Sequence, residues 1–277
     1  MKDYRFGARN EYRIVIAGER HARERALSLA YCVYLAAGLV DSRPSRMLVS
    51  CHDAIPGTLT FLVERTNDNG SAVAVASLTL IPDSELGLPM DGAHHAALNQ
   101  LRKAGSKPVE LAKLATVAAT EKVRTRGPAP RDLILLHLFK VAYLAARYLG
   151  HATDLVIAVA PEQVNFFRRV LMFEHLEPDS SDAPRDDSTL SIPLRLRLDT
   201  AEEVFEKRYG QRRGSKNIFR FFVNETQNDI LSWLDASTKP LSAADVRYLL
   251  VEKSSLLERS DEATRRLILD LYPGLRE

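Results

Sequence analysis

Apolar positions along the chain follow two rhythms, a period of two in short runs and a period of three to four in longer ones, and their succession predicts the elements. Tyr12–Ile16 alternates and predicts a first strand. Ala26–Val40, 15 residues without a charge behind the charged Glu19–Arg25, predicts a buried or half-buried helix. Met47–Ser50 predicts a short strand, and Thr58–Glu64 and Ala72–Leu80 flank the turn Asn67–Gly70, which is a hairpin signal. Pro82 ends the second of these strands, because proline cannot donate to a ladder. His94–Ala104 has helical spacing, Val109–Val117 predicts a central strand, and Asp132 caps a long apolar helix that stops at Gly150. Asp154–Val159 is wholly apolar after its first residue, as a strand buried on both faces would be. Pro161 opens a further helix, Ser180–Ser188 is a polar loop, and Ile192–Leu198 predicts a last strand. From Thr200 onward only helical rhythm remains. The reading is an α/β or α+β core in residues 1–198 and a helical C-terminal extension in 199–277.

Composition narrows the function classes. The 277 residues are 45% hydrophobic and 27% charged, which excludes disorder as the main state. A net charge of +2 does not mark a nucleic-acid binder. The run Ala26–Val40 is shorter than the roughly 20 residues of a membrane span, and the N-terminus lacks the pattern of an export signal. Cys32 and Cys51 form neither a CxxC motif nor a disulfide framework, which suits a reducing cytoplasm. His94 and His95 lack a third ligand at metal spacing, so neither a metal nor a bound cofactor is expected.

The segment carrying candidate chemistry is Arg124-x-x-Gly127-x-Ala129, between the predicted central strand and the long helix. Backbone amides and a helix N-terminus can hold a pyrophosphate there, with Arg124, Arg126 and Arg131 adding charge. This order of strand, loop, helix, strand and helix resembles the core of the GNAT acyltransferases, whose phosphate loop reads Arg/Gln-x-x-Gly-x-Gly/Ala. The segments HDAIPGTLTFLVER, ASLTLIPDSELGLPMDG and VELAKLATV, within a match from about Arg23 to Pro178, are similar to the long-chain N-acyl amino acid synthases. That family is related to the acyl-homoserine-lactone synthases.

The resemblance implies a GNAT-like mixed, mostly antiparallel sheet flanked by helices. It also implies transfer of a fatty acyl group from an acyl carrier protein or coenzyme A thioester to the amino group of an amino acid. Aminolysis needs a base and donors for the developing oxyanion. Glu110, matching the family's Glu-x-x-Arg, is the candidate base or amine-orienting carboxylate, with a structural ion pair as the alternative. Lys113 stands where the family has arginine. It lies an odd number of residues from Glu110, so the two face opposite sides unless a bulge intervenes. Asp53 either binds the acceptor amine or caps the turn before Pro56, and His52 and Thr116 complete the candidate substrate-binding set. Arg124, Arg126, Gly127, Ala129 and Arg131 would hold the donor phosphates, although Pro128 removes one N–H donor.

Two departures bear on the rivals. Phe166 and Phe167 stand where many GNAT enzymes carry a tyrosine acid, which keeps open a non-catalytic module that binds an acyl chain or a protein. Thr79-Leu80-Ile81-Pro82 lacks the arginine of the lactone synthases, which weighs against that activity; a lactone synthase or another GNAT acetyltransferase, using a coenzyme A donor, stays the third reading. Apolar residues of Ala26–Val40 with Leu86, Leu88 and Met90 are expected to wall an acyl tunnel. The basic run Lys207-Arg208 to Arg212-Arg213-x-x-Lys216, with Arg220, is a solvated linker, a dock for an acidic carrier protein, or a surface for nucleic acid or anionic lipid.

Overall fold

The computed structural model describes residues 3–7, 9–67, 70–117, 130–176, 191–214, 217–223 and 227–276. Eight strands form one mixed sheet: β1 (Tyr4–Phe6), β2 (Tyr12–Ile16), β3 (Leu59–Thr66), β4 (Ala72–Pro82), β5 (Pro108–Thr116), β6 (Asp154–Val159), β7 (Glu174–His175) and β8 (Ile192–Arg197). Their spatial order is β1-β2-β3-β4-β5-β6-β8-β7. Every neighbouring pair is antiparallel except β5 and β6, which run parallel. Beside them lie α1 (Arg20–Ala36), α2 (Asp91–Lys103), α3 (Pro130–Leu144), extended by a wide turn Ala145–Leu149, and α4 (Val164–Arg169).

Period-two patterning sorts the strand residues onto two faces. Phe61, Val63, Leu78, Leu80 and Leu111 pack with Ile134, Leu138 and Phe139 of α3. Leu62 meets Ala26 of α1, while Ile81, Ala112 and Val156 meet Leu98 and Leu101 of α2. The sheet is therefore a layer between helices, as the resemblance implies.

The C-terminal region is helical: α5 (Ala201–Tyr209), α6 (Ile218–Phe222), α7 (Gln227–Ser237), α8 (Ala243–Val246), prolonged by a wide turn Arg247–Lys253, α9 (Leu256–Arg259) and α10 (Glu262–Leu271). Phe205, Phe222, Ile230 and Trp233 join the core on the α3 face. Val246, Leu249, Leu250 and Ile268 close instead over Leu27, Met47, Val49 and Ile55. No helix of the described residues is long and apolar enough to cross a membrane.

Several local expectations shift. Met47–Ser50 is no strand and joins no ladder. It is a buried extended segment, tethered by the Leu48 amide to the Leu27 carbonyl at 3.0 Å. Helix α1 begins six residues before the uncharged run, because Arg25 reaches the buried Glu64, which Arg13 also pairs at 2.5 Å. Helix α2 begins at Asp91 rather than His94, since the Asp91 carboxylate accepts the Leu88 amide at 2.7 Å. His94 itself is a kink inside that helix (φ −129°). Strands β1 and β7, three and two residues long, give the sequence rhythm nothing to repeat. The loop 180–188 and part of the turn 67–70 lie outside the described residues.

Candidate active site

Strands β5 and β6 pair only as far as Glu110 opposite Val156. Beyond that point they diverge and open a cleft of about 290 Å³ between Leu111–Leu114 on one wall and Ile157–Val159 on the other. Tyr34 of α1, and Arg43, Val49 and Ser50 from the segment after it, close the cleft from the side. A volume of this size sits at the lower edge of the roughly 300–1,000 Å³ of small-molecule sites.

A β-bulge sets the chemistry. Ser77 faces Ala115 and Thr79 faces Ala112, so Lys113 and Leu114 together oppose one residue of β4. Lys113 takes the extra position in the left-handed region, with φ of +53°. Such a conformation costs a non-glycine residue about 1–3 kcal/mol and persists only where surrounding contacts hold it. The holding contact is an ion pair: the Lys113 Nζ donates to both Asp53 carboxylate oxygens, at 2.5 and 2.6 Å. The bulge brings Lys113 and Glu110 into one cleft, which a regular strand would forbid.

Asp53 sits in the tight turn Cys51–Ala54 and also accepts the Ser50 amide at 2.7 Å, so it both caps its turn and fixes Lys113. The turn-cap reading describes one of these contacts, and both Asp53 oxygens are already engaged. His52 is half-buried behind this pair; burial, then the nearby Lys113, lower its pKa, which keeps the ring neutral. Its Nε2 has no partner among the described residues.

Glu110 is 5% exposed and accepts the Met90 amide at 2.9 Å. Burial pushes its pKa up to about 7; Asp91 adds to the rise, while the Met90 amide and Lys113 oppose it. The loop carrying Met90 is clamped by Arg102, which binds Asp83 at 2.7 and 2.8 Å and Asp91 at 2.6 and 2.8 Å. A carboxyl poised near neutrality in a cleft suits a general base. Tyr34 is the complement: burial and the neighbouring Glu110 push its phenol up to about 12, so it stays protonated as a donor.

The remaining predicted residues are dispersed. Thr116 ends β5 outside the cleft lining. Arg131 opens α3, its Nε buried with no hydrogen-bond partner among the described residues. Arg124, Arg126, Gly127 and Ala129, with Pro128, lie outside the described residues, as does Lys216. Leu88 and Met90 pack in the core beneath α2, and Leu86 packs toward the C-terminal helices, so none of the three lines the cleft. The apolar extension of the cleft runs elsewhere. A seam of Leu78, Leu135, Leu138, Phe139, Phe166 and Phe167 joins it through Leu111, Leu114 and Ile157, with about 10 Å³ of free space as it stands. Tyr34, Arg43, Ser50 and Gln163 line the cleft without having been singled out by sequence; only Tyr34 carried a signal, at the apolar spacing of α1.

Among the described residues no three His, Cys, Asp or Glu side chains gather as a metal site. Residues 25–197 match the family model described as "N-acyl amino acid synthase FeeM". Among solved structures, FeeM from uncultured soil microbes shares 18% identity at a TM-score of 0.55, over 71% of this chain and 96% of that one. The acyl-homoserine-lactone synthase LasI shares 14% at 0.44, over 69% and 92%. The CoA-dependent synthase BjaI, with SAM and isopentyl-CoA, shares 15% at 0.44, over 75% and 96%. No curated protein matches the chain in sequence.

Proposed function

The chain belongs to the FeeM N-acyl amino acid synthase family, a family of acyltransferases with a GNAT-like fold, and from that premise we propose that it moves a long-chain acyl group from a thioester onto an amino acid's amine. The observation that carries the proposal is Glu110, a buried carboxyl poised near pH 7 where β5 and β6 part.

The thioester carbonyl lies in the opening between the two strands, where β5 amides no longer engaged by β6 can donate to its oxygen. The acceptor amine attacks the carbonyl carbon and passes its proton to Glu110. The C–S bond breaks as the Tyr34 hydroxyl protonates the thiolate, and the proton on Glu110 returns to the phenolate, whose affinity for it is higher. Tyr34 thus takes the part that Phe166 and Phe167 cannot. Lys113, fixed by Asp53, places positive charge beside the developing oxyanion. The acyl chain extends into the Leu138–Phe167 seam by displacing side chains, at a gain of about 0.8 kcal/mol per buried CH₂.

Helix α4, which lines that seam, also carries exposed Arg168 and Arg169. The Tyr209 hydroxyl donates to the Arg169 carbonyl at 2.8 Å and brings exposed Lys207, Arg208, Arg212 and Arg213 alongside. An acidic acyl carrier protein fits this basic surface as donor. The test is incubation of the purified chain with palmitoyl thioesters of carrier protein and of coenzyme A and a mixture of amino acids, read by mass spectrometry. N-acyl products formed faster from the carrier protein are expected; no product from either donor would overturn the reading.

A further inference from the structure

A second cavity, of about 500 Å³, lies between the segment after α1 and the C-terminal helices. It is contiguous with the candidate active site, because Arg43 and Val49 line both. Its chemistry is one-sided. Arg43, Lys253 and Arg259 line it beside the hydroxyls of Ser42 and Ser255, the Ser254 hydroxyl donates to the Leu249 carbonyl at 2.6 Å, and among the described residues no carboxylate lines it. Arg259 is held by its guanidinium donating to the Ser254 and Ser255 carbonyls, and none of the three cations forms a salt bridge with a described residue. The Lys253 Nζ lies 5.2 Å from the centre of the Tyr248 ring, and Tyr248, then Glu24 and Glu252, raise its pKa; none of the three lines the groove. Half of this groove comes from residues 253–259, beyond the stretch that matches the family model.

We propose that this groove holds the carboxylate-bearing tail of the acceptor, which is a short acidic peptide whose N-terminal amine reaches Glu110 past Arg43. The proposal rests on the acyl-transfer reading of the cleft and names its acceptor class. Three considerations carry it. A single amino acid satisfied within the cleft would leave a larger, contiguous and cationic space unused. Three cations and hydroxyl donors without an acid in the lining match carboxylates by charge and by hydrogen bonding. In a peptide, moreover, the carboxylate next to the amine has become an amide, so it no longer favours the ammonium form, and more of the amine is free to attack. The reaction balances as before: the peptide N–C bond forms, the C–S bond breaks, and the thiol leaves with the proton that Tyr34 supplies.

The probes are glycyl-glutamyl-glutamate, its neutral counterpart glycyl-glutaminyl-glutaminamide, and free glycine. Binding is measured by isothermal titration, and acyl transfer from palmitoyl carrier protein by mass spectrometry. The acidic peptide should bind about tenfold tighter than the neutral one and show a correspondingly lower KM. Lys253→Glu should erase that ratio and Lys253→Arg should keep it; Lys253 is exposed, so both variants are expected to fold. Equal affinity of the two peptides for the wild-type chain, or an unchanged ratio in Lys253→Glu, overturns the proposal. If N-acyl products form from all three acceptors without an acidic advantage, only this proposal falls. If the acidic peptide binds preferentially yet no acceptor is acylated, the acyl-transfer reading falls and takes the acceptor role with it.

Discussion

Replacing Glu110 by glutamine pulls apart two consequences of burying one carboxyl. In the unfolded chain the group ionises near its ordinary 4.5, and in the folded chain near 7. Below about pH 4.5 both states hold the proton and burial carries no electrostatic penalty. Between about 4.5 and 7 the unfolded chain releases the proton while the folded chain keeps it, so stability falls as pH rises. Above about pH 7 the loss is complete, about 3 kcal/mol at about 1.36 kcal/mol per pH unit. Glutamine never titrates, and its oxygen can still accept the Met90 amide now bonded at 2.9 Å. The stability advantage of Glu110→Gln over the wild type should therefore grow by about 2–3 kcal/mol between pH 5 and pH 8. Catalysis should move the other way: turnover falls by about 10²–10⁴, and the inflection of kcat near pH 7 disappears. Urea denaturation of both chains across this pH range, beside steady-state formation of N-acyl product, reads both effects. Parallel stability profiles would refute the buried, proton-holding carboxyl, and a variant with full turnover and an unchanged pH profile would refute its role as base.

Three further substitutions probe the surroundings of Glu110. Tyr34→Phe should lower kcat about 100-fold with acyl-donor binding retained, measured by rapid-quench turnover and donor titration; unchanged kcat would remove it as the acid. Asp53→Ala should cost about 3–5 kcal/mol in urea unfolding, because it leaves Lys113 buried, uncompensated and in a strained backbone conformation. A loss below about 1 kcal/mol would show that the pair does not hold the bulge. Ile268→Ala, on α10, should cost about 2–5 kcal/mol and also raise the acceptor KM, since fully buried Ile268 packs in the cluster that holds Val49 and Ile55. A stability loss with unaltered KM would sever the C-terminal helices from the site.

What local pattern encodes and what it does not can be followed residue by residue. Alternation placed Glu110 on a central strand and marked β3, which is long enough for a period of two to repeat, and an unbroken apolar run marked β6. The side on which Lys113 emerges depends on one left-handed residue, and lysine is not a type whose presence announces that conformation. Leu88 and Leu111 are both buried, yet only Leu111 faces the cleft, because it lies where β5 and β6 part. A missing strand pairing is a relation between two segments and has no signature in either. The same holds for the cationic groove, whose residues stand some 210 positions apart in the chain and become neighbours only through the packing of Leu249, Leu250 and Ile268 on Met47 and Val49. The predicted strand at Met47–Ser50 shows the reason: Met47 and Val49 are spent on those helices and Leu48 on Ala30, Tyr31 and Ala115 rather than on a ladder, and Arg43 and Ser50 line the cleft. The helices after residue 240 thus reach the chemistry through an apolar segment that the sheet did not take, which is why a change at Ile268 should be felt at Glu110.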